Sequence, residues 1–285
     1  MRDFLPVLAV AALVILVGAG GYFALFDDVS EEAVTLQRVT GPVSVLSGGD
    51  SQQAEEGETL EPGDQLTAGA GGQAVLAFGE QSSIVLEAES TLKLRGRDDQ
   101  GLQVELEGGR IRATVRPGDG RLAVNRGGQR VDATDARFEV GVDDEGVLQV
   151  RAQEGELELA GFGGREGLGP GERISLVPGG DPWVSDEDRA LLLELDSVPD
   201  LIAQREQVLT GRTDPHARIR VEGGVQPVSG RADAEGLWRL TVPLKEGDNA
   251  LLVVASDPLG QEREQTWQVA VDTRPPEAVD IQVGE

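Results

Sequence analysis

The sequence predicts an all-β protein: one N-terminal transmembrane helix, then a β-solenoid or sandwich module, then a small β-sandwich. Three observations carry this. Residues 4–26, FLPVLAVAALVILVGAGGYFALF, hold no charge. From residue 35 onward apolar and polar residues alternate over short runs, the pattern of strands with one buried face. Gly- and Asp-rich clusters separate these runs, in a chain with 39 glycines and only 4% aromatic residues. The core must therefore come mainly from Val, Leu, Ile and Ala on short strands joined by tight turns.

The first element is the apolar run. A helix over its 23 residues rises about 35 Å, against a hydrocarbon core of ~30 Å. Arg2 precedes it; Asp27, Asp28, Glu31 and Glu32 follow. Positive charge stays inside, so residues 1–3 form a cytoplasmic stub and residues 27–34 a juxtamembrane linker outside. Tyr22 and Phe23 fall at the outer interface, where amphipathic rings settle. The alternative is a cleaved signal peptide ending near Val17-Gly18-Ala19. Either way the expected location is the cytoplasmic membrane with the bulk of the chain periplasmic or extracellular.

Residues 35–177 are the first β module. Segments such as PVSVL, QAVLAF, SSIVLEAE, STLKLRG, RFEVGV and GVLQVRA alternate cleanly, and SGGD, EPGD, RDDQG, RPGDG, DDEG and GPGE mark turns. EGGRIRATV and EGELELAG resemble each other, a loose internal repeat. Residues 178–198 break the pattern as a linker. Within it, Asp186 to Leu195 reads either as a short helix capped by Ser185 or as a strand, LLLEL. Residues 199–276 return to strands, with Trp238 and Trp267 as bulky core candidates, and residues 277–285 are a tail.

Composition removes several functions. With 25 basic against 51 acidic residues the formal charge is -26, which argues against nucleic acid and against anionic lipid surfaces. There is no Cys, hence no disulfide, thiolate metal site, cysteine nucleophile or lipid-carrying cysteine. His216 is the only histidine, and Asp214-Pro215-His216 reads as a turn rather than as part of a triad. Glu105 and Glu107 share a strand face that solvation explains. Asp143-Asp144-Glu145-Gly146 offers calcium-type oxygens but sits where a hairpin needs Asp and Gly. The chain is expected to be no enzyme, with no cofactor and no metal.

The first module resembles the FecR domain, named for the iron-dicitrate sensor-transducer. The matching elements are Gly41-Pro42-Val43, Gly63-Asp64-Gln65-Leu66, Gly72-Gln73-Ala74-Val75-Leu76 and Leu92-Lys93-Leu94. They continue through Leu106-Glu107-Gly108-Gly109-Arg110-Ile111, Arg137-Phe138-Glu139-Val140, Glu154-Gly155-Glu156-Leu157 and Gly171-Glu172. Asp135-Ala136 departs from the family's Gly-Thr. The resemblance implies signalling from an outer-membrane transporter to a sigma factor, through a cytoplasmic segment that a stub of residues 1–3 does not supply. Residues 199–276 are similar to bacterial immunoglobulin-like modules through Leu209-Thr210-Gly211, Gly236-Leu237-Trp238, Glu246-Gly247-Asp248-Asn249 and Asp272-Thr273-Arg274-Pro275-Pro276.

One stretch stands out against the acidic background. In LEGGRIRATVR, Gly108-Gly109 reads as a hairpin turn; Leu106, Ile111, Ala113 and Val115 face the core; Arg110, Arg112 and Arg116 occupy the wet face. Residues 93–137 hold ten basic and seven acidic residues, +3 inside a chain of -26. Cross-strand pairing with those acids is one reading; a basic face for an acidic partner or polymer is the other. The expected function is a membrane-anchored, non-catalytic binding or scaffold protein of the bacterial envelope, meeting another envelope protein or a cell-surface polysaccharide. The alternatives are an accessory subunit of transmembrane signalling and, last, an envelope glycoside hydrolase.

Overall fold

The computed structural model describes residues 33–98, 101–185 and 190–274. The predicted transmembrane segment 4–26, the stub 1–3 and the tail 277–285 lie outside the described residues. The regular elements of the described residues are all strands, and none of these residues forms a helix long and apolar enough to cross a membrane.

Seventeen strands build the first module. They are β1 (Val34–Thr40), β2 (Val43–Ser47), β3 (Asp50–Gln53), β4 (Thr59–Leu60), β5 (Gln65–Ala68) and β6 (Gln73–Phe78). β7 (Ser82–Leu86), β8 (Ser90–Asp98), β9 (Gly101–Val115), β10 (Arg121–Arg126), β11 (Gln129–Ala133) and β12 (Ala136–Val142) follow. β13 (Leu148–Gly155), β14 (Leu157–Phe162), β15 (Arg165–Leu168), β16 (Arg173–Leu176) and β17 (Trp183–Ser185) complete it. Hydrogen bonding sorts them into two open layers. The first runs β4-β1-β6-β7-β9-β12-β13-β16-β17. The second runs β3-β2-β5-β8-β9-β10-β11-β14-β15. All pairs are antiparallel except β9 with β10. The inward residues of both layers merge into one cluster, so this is a sandwich rather than a single-wound solenoid. Phe78, Phe138 and Phe162, each at most 1% exposed, add aromatic bulk to an otherwise aliphatic core; each such side chain contributes about 1.5–3 kcal/mol by burial.

Gly108-Gly109 is not the turn of a hairpin. β9 runs unbroken for 15 residues and changes layer there. Its first half pairs with β8 and β10, its second with β7 and β12. The inward set shifts from Leu102, Val104 and Leu106 to Ile111, Ala113 and Val115, so the alternation changes parity across the two glycines. Gly109 has φ +81, and a Cβ there would lie 2.3 Å from the Ser90 Oγ and 2.5 Å from the Glu89 carbonyl oxygen. Two other corners are built alike. Gly41 (φ +67) crosses from β1 to β2, its virtual Cβ 2.5 Å from the Gly71 carbonyl oxygen. Gly155 (φ +73) crosses from β13 to β14, its virtual Cβ 2.1 Å from the Asp135 carbonyl oxygen. Each corner nests against a neighbouring one, and only a glycine permits both the left-handed backbone and the close approach. The resemblance between EGGRIRATV and EGELELAG is that of two such corners.

The second module packs a three-stranded sheet against a five-stranded one. The smaller contains β18 (Leu193–Leu195), β20 (Glu206–Thr213) and β23 (Leu237–Pro243). The larger orders β19 (Leu201–Ile202), β25 (Glu262–Val271), β24 (Gly247–Ser256), β21 (Arg218–Glu222) and β22 (Val228–Arg231). Trp238 is 4% exposed within its core, and Trp267 packs against that core from the side. In the stretch expected as linker, β17 pairs with β16 of the first module and β18 with β20 of the second. Residues 193–195 of LLLEL are therefore strand.

Candidate functional site: a polar face closed by the second module

Register across the first layer sets its outward residues in rows. One row reads Val85, Arg112, Glu139, Arg151, Arg173 and Ser185. The row on one side holds Thr114, Arg137 and Glu154. The row on the other holds Arg110, Gly141, Gln149, Ser175 and Trp183. They point outward because their neighbours, Ile111, Ala113, Phe138, Val140 and Val150, fill the core.

The three arginines singled out by sequence have different surroundings. Arg112 forms an ion pair with Glu87. Arg116 lies 3.9 Å from both Asp135 and Glu154, and Arg137 pairs with Glu154 at 3.1 Å. Arg110 instead donates from Nη1 to the Leu259 carbonyl oxygen at 2.6 Å, a contact to the second module. Arg112 and Arg116 thus remain on the open face with acidic neighbours, while Arg110 is held at a junction.

That junction is made by the turn between β24 and β25, Asp257-Pro258-Leu259-Gly260, set down on the row of Arg110 and Gly141. Leu259 is 7% exposed. A Cβ at Gly141 would stand 2.2 Å from the Pro258 carbonyl oxygen, so the turn rests on bare backbone. Next to it Arg173, outward on β16 yet 2% exposed, is buried by the second module. Its Nη2 donates to Asp214 Oδ2 at 2.8 Å, its Nη1 lies 3.7 Å from Asp257 Oδ2, and its guanidinium stacks 5.6 Å from the Trp183 ring centroid. Two buried carboxylates converge on this guanidinium. Burial pushes the Asp257 carboxyl above its usual range, against the opposing pull of the Gln261 amide and Arg173.

A second, wetter contact flanks the first. The turn between β12 and β13, Asp143-Asp144-Glu145-Gly146, carries the carboxylates that invited a calcium reading. Asp143 Oδ1 accepts from the Glu145 and Val147 amides, so the residue closes its own turn. Arg231 bonds Asp143 at 2.6 Å and Glu145 at 2.9 Å, and Arg218 bonds Asp144 at 2.7 Å. The Arg218 hydrogen bond holds the Asp144 carboxyl below the usual carboxylate range. These acids are ligands for arginines, and among the described residues no group of three or more His, Asp or Glu side chains is arranged to hold a metal. His216 sits in the predicted turn at φ +65, 6% exposed, with its Nδ1 unpartnered; burial above all lowers its pKa.

Sequence reasoning missed Arg173, Asp214, Asp257 and Gly141. Each occupies a position that strand or turn chemistry explains by itself: an outward residue of a strand, two Asp-Pro turns, and a glycine in a β run. The signals available were the Asp214-Pro215 and Asp257-Pro258 pairs, which share a type but announce no partner.

Comparison with known proteins bears on the first module. No curated protein matches the chain. Among solved structures, the chain is similar to a candidate anti-sigma factor from Parabacteroides distasonis, at 19% identity and a TM-score of 0.39, over 44% of this chain and 60% of that one. A second crystal structure of such a protein from the same organism gives 18% identity and the same TM-score and coverage. The chain thus spans 60% of the length of these relatives. A tetra-tandem repeat from the extending region of a large adhesion protein is 13% identical with a TM-score of 0.26, over 85% of this chain and 67% of that one. The family model described as FecR protein matches residues 64–158, which span β9 and its corner, so the first module of this chain carries a FecR domain.

Proposed function

We propose that this chain is a membrane-anchored, non-catalytic binding or scaffold protein of the bacterial envelope, meeting another envelope protein or a cell-surface polymer. The observation that carries the reading is the junction. The first module, which holds the FecR match at residues 64–158, is joined to the second through the buried Arg173–Asp214 pair and the Arg218–Asp144 and Arg231–Asp143 pairs. The second module, read as immunoglobulin-like, serves as the brace. Arg112, Arg116 and Arg137 lie on the open face beside it, each with a carboxylate neighbour. Crosslinking in native envelopes, followed by gentle detergent extraction, is expected to yield a discrete complex. Its loss in R112S/R116S, with the melting temperature unchanged, supports the basic face; a strictly monomeric protein that captures nothing overturns the reading.

The FecR domain itself favours a second reading, an accessory subunit of transmembrane signalling. Crosslinks to an adjacent sensor or transporter, and loss of its signal on deleting this protein, are the expected results. Reporter fusions after Asp28 test the location, and cytoplasmic activity at that site refutes it.

A further inference from the structure

Beside the junction lies a cleft of about 510 Å³ between β17 of the first module and the smaller sheet of the second, lined by Trp183, Glu194, Arg212, Thr213, Pro215 and Glu235. Its volume falls in the range of small-ligand sites, roughly 300–1,000 Å³, and such sites favour boundaries between modules. Trp183 is held in place by Arg173 stacked on its ring, itself fixed by Asp214. Thr213 is committed, its hydroxyl donating to the Leu192 carbonyl oxygen. Arg212 and Glu194 are direct cross-strand partners in register. Yet among the described residues the side chains of Arg212, Glu194 and Glu235 make no ion pair or hydrogen bond. Most other arginines of the junction are tied to carboxylates or carbonyl oxygens. The cleft therefore gathers a fixed indole, two carboxylates and one guanidinium whose bonding capacity is unspent.

This set has a definite chemistry. Carboxylates accept hydrogen bonds from hydroxyl groups, and a guanidinium donates to ring, hydroxyl or amide oxygens. An indole offers a flat apolar surface beside a polar rim, which suits the C–H face of a pyranose. The lining carries two negative charges and one positive, so a polyanion gains nothing there. We propose that this cleft binds uncharged or amino-sugar pyranosides of a cell-surface glycan. The proposal rests on the polymer arm of the binding reading and deepens it.

Titration calorimetry and tryptophan fluorescence on the full chain in detergent test it, with chitotetraose as probe and polygalacturonate as the acidic control. Saturable binding of chitotetraose is expected, weakened about tenfold or more in each of E194Q and R212S. Both residues are exposed, so their melting temperatures should match the wild type. No saturable binding of chitotetraose, equal affinity for polygalacturonate, or undiminished affinity in both variants overturns the proposal. Should chitotetraose fail while envelope crosslinks through the Arg112 face persist, the glycan cleft falls and the scaffold reading stands.

Discussion

Replacing Arg173 by Met keeps most of the apolar stem and removes the guanidinium. The Arg173, Asp214 and Asp257 side chains are 3%, 3% and 4% exposed, so solvent does little to replace the lost charge. At an effective dielectric near 20, opposite charges ~4 Å apart attract by about 4 kcal/mol. The full loss is smaller than two such attractions, because burying Arg173 also cost hydration. Breaking a buried ion pair from one side costs about 3–5 kcal/mol, and that is the stability R173M should lose near pH 7 in a urea titration. The loss should concentrate at the junction and show as faster proteolysis between the modules, while the first module, with its own core, keeps its cooperative unfolding.

The pH dependence follows from Asp257. Its folded pKa is raised above the unfolded 3.8, chiefly by burial. The folded state therefore favours the neutral acid, and the stability this contributes is present below 3.8 and lost as pH rises through the raised folded value. In R173M the attraction opposing that rise is gone, so the deficit should deepen between about pH 4 and 7 and shrink on acidification. D257N, which keeps an oxygen for the Gln261 amide, should flatten the dependence. A loss below ~1 kcal/mol near neutral pH, or a deficit independent of pH, refutes the account of Arg173 as the neutralising centre of the junction.

Gly141→Val should displace the Pro258 turn, costing about 2–3 kcal/mol in the two-module protein and exposing the segment between the modules to protease; an unchanged cleavage rate counts against close docking. Gly109→Ala meets backbone and a hydroxyl at a positive φ and should destabilise the first module by about 2 kcal/mol in denaturant titration, whereas Gly108→Ala points into open space and should cost under ~1 kcal/mol. Equal effects would remove the layer-crossing explanation. Asp119 accepts from the Glu80 and Gln81 amides and the Ser82 hydroxyl, bonds that hold its carboxyl below the usual range. D119A should lower the melting temperature by ~3 °C at neutral pH. That difference should vanish in acid, since a depressed pKa gives stability above the unfolded value that is lost as pH falls through the folded one.

Much of this molecule is local chemistry. Alternation placed Leu106, Ile111, Ala113 and Val115 in the core because successive strand residues point to opposite faces, and the structure buries all four to 1% or less. Asp143-Asp144-Glu145-Gly146 formed the expected turn because Asp side chains bond amides two and four residues on. The charge balance and the missing cysteines needed no coordinates. Gly108-Gly109 shows where local reasoning ends: two glycines signal a change of direction, but a hairpin and a layer crossing ask the same of the backbone. Only the partners of each half of β9 decide between them. The junction lies further out of reach. Arg173 looks like any solvated strand residue, since its burial depends on Asp214 and Asp257, 41 and 84 positions along the chain. The sequence by itself determined that residues 35–276 form alternating strands with glycine-marked corners, because these depend on neighbours within a few residues. The tertiary structure alone decided which arginines meet solvent and which lie beneath the second module, because burial belongs to surfaces that meet only once both modules have folded.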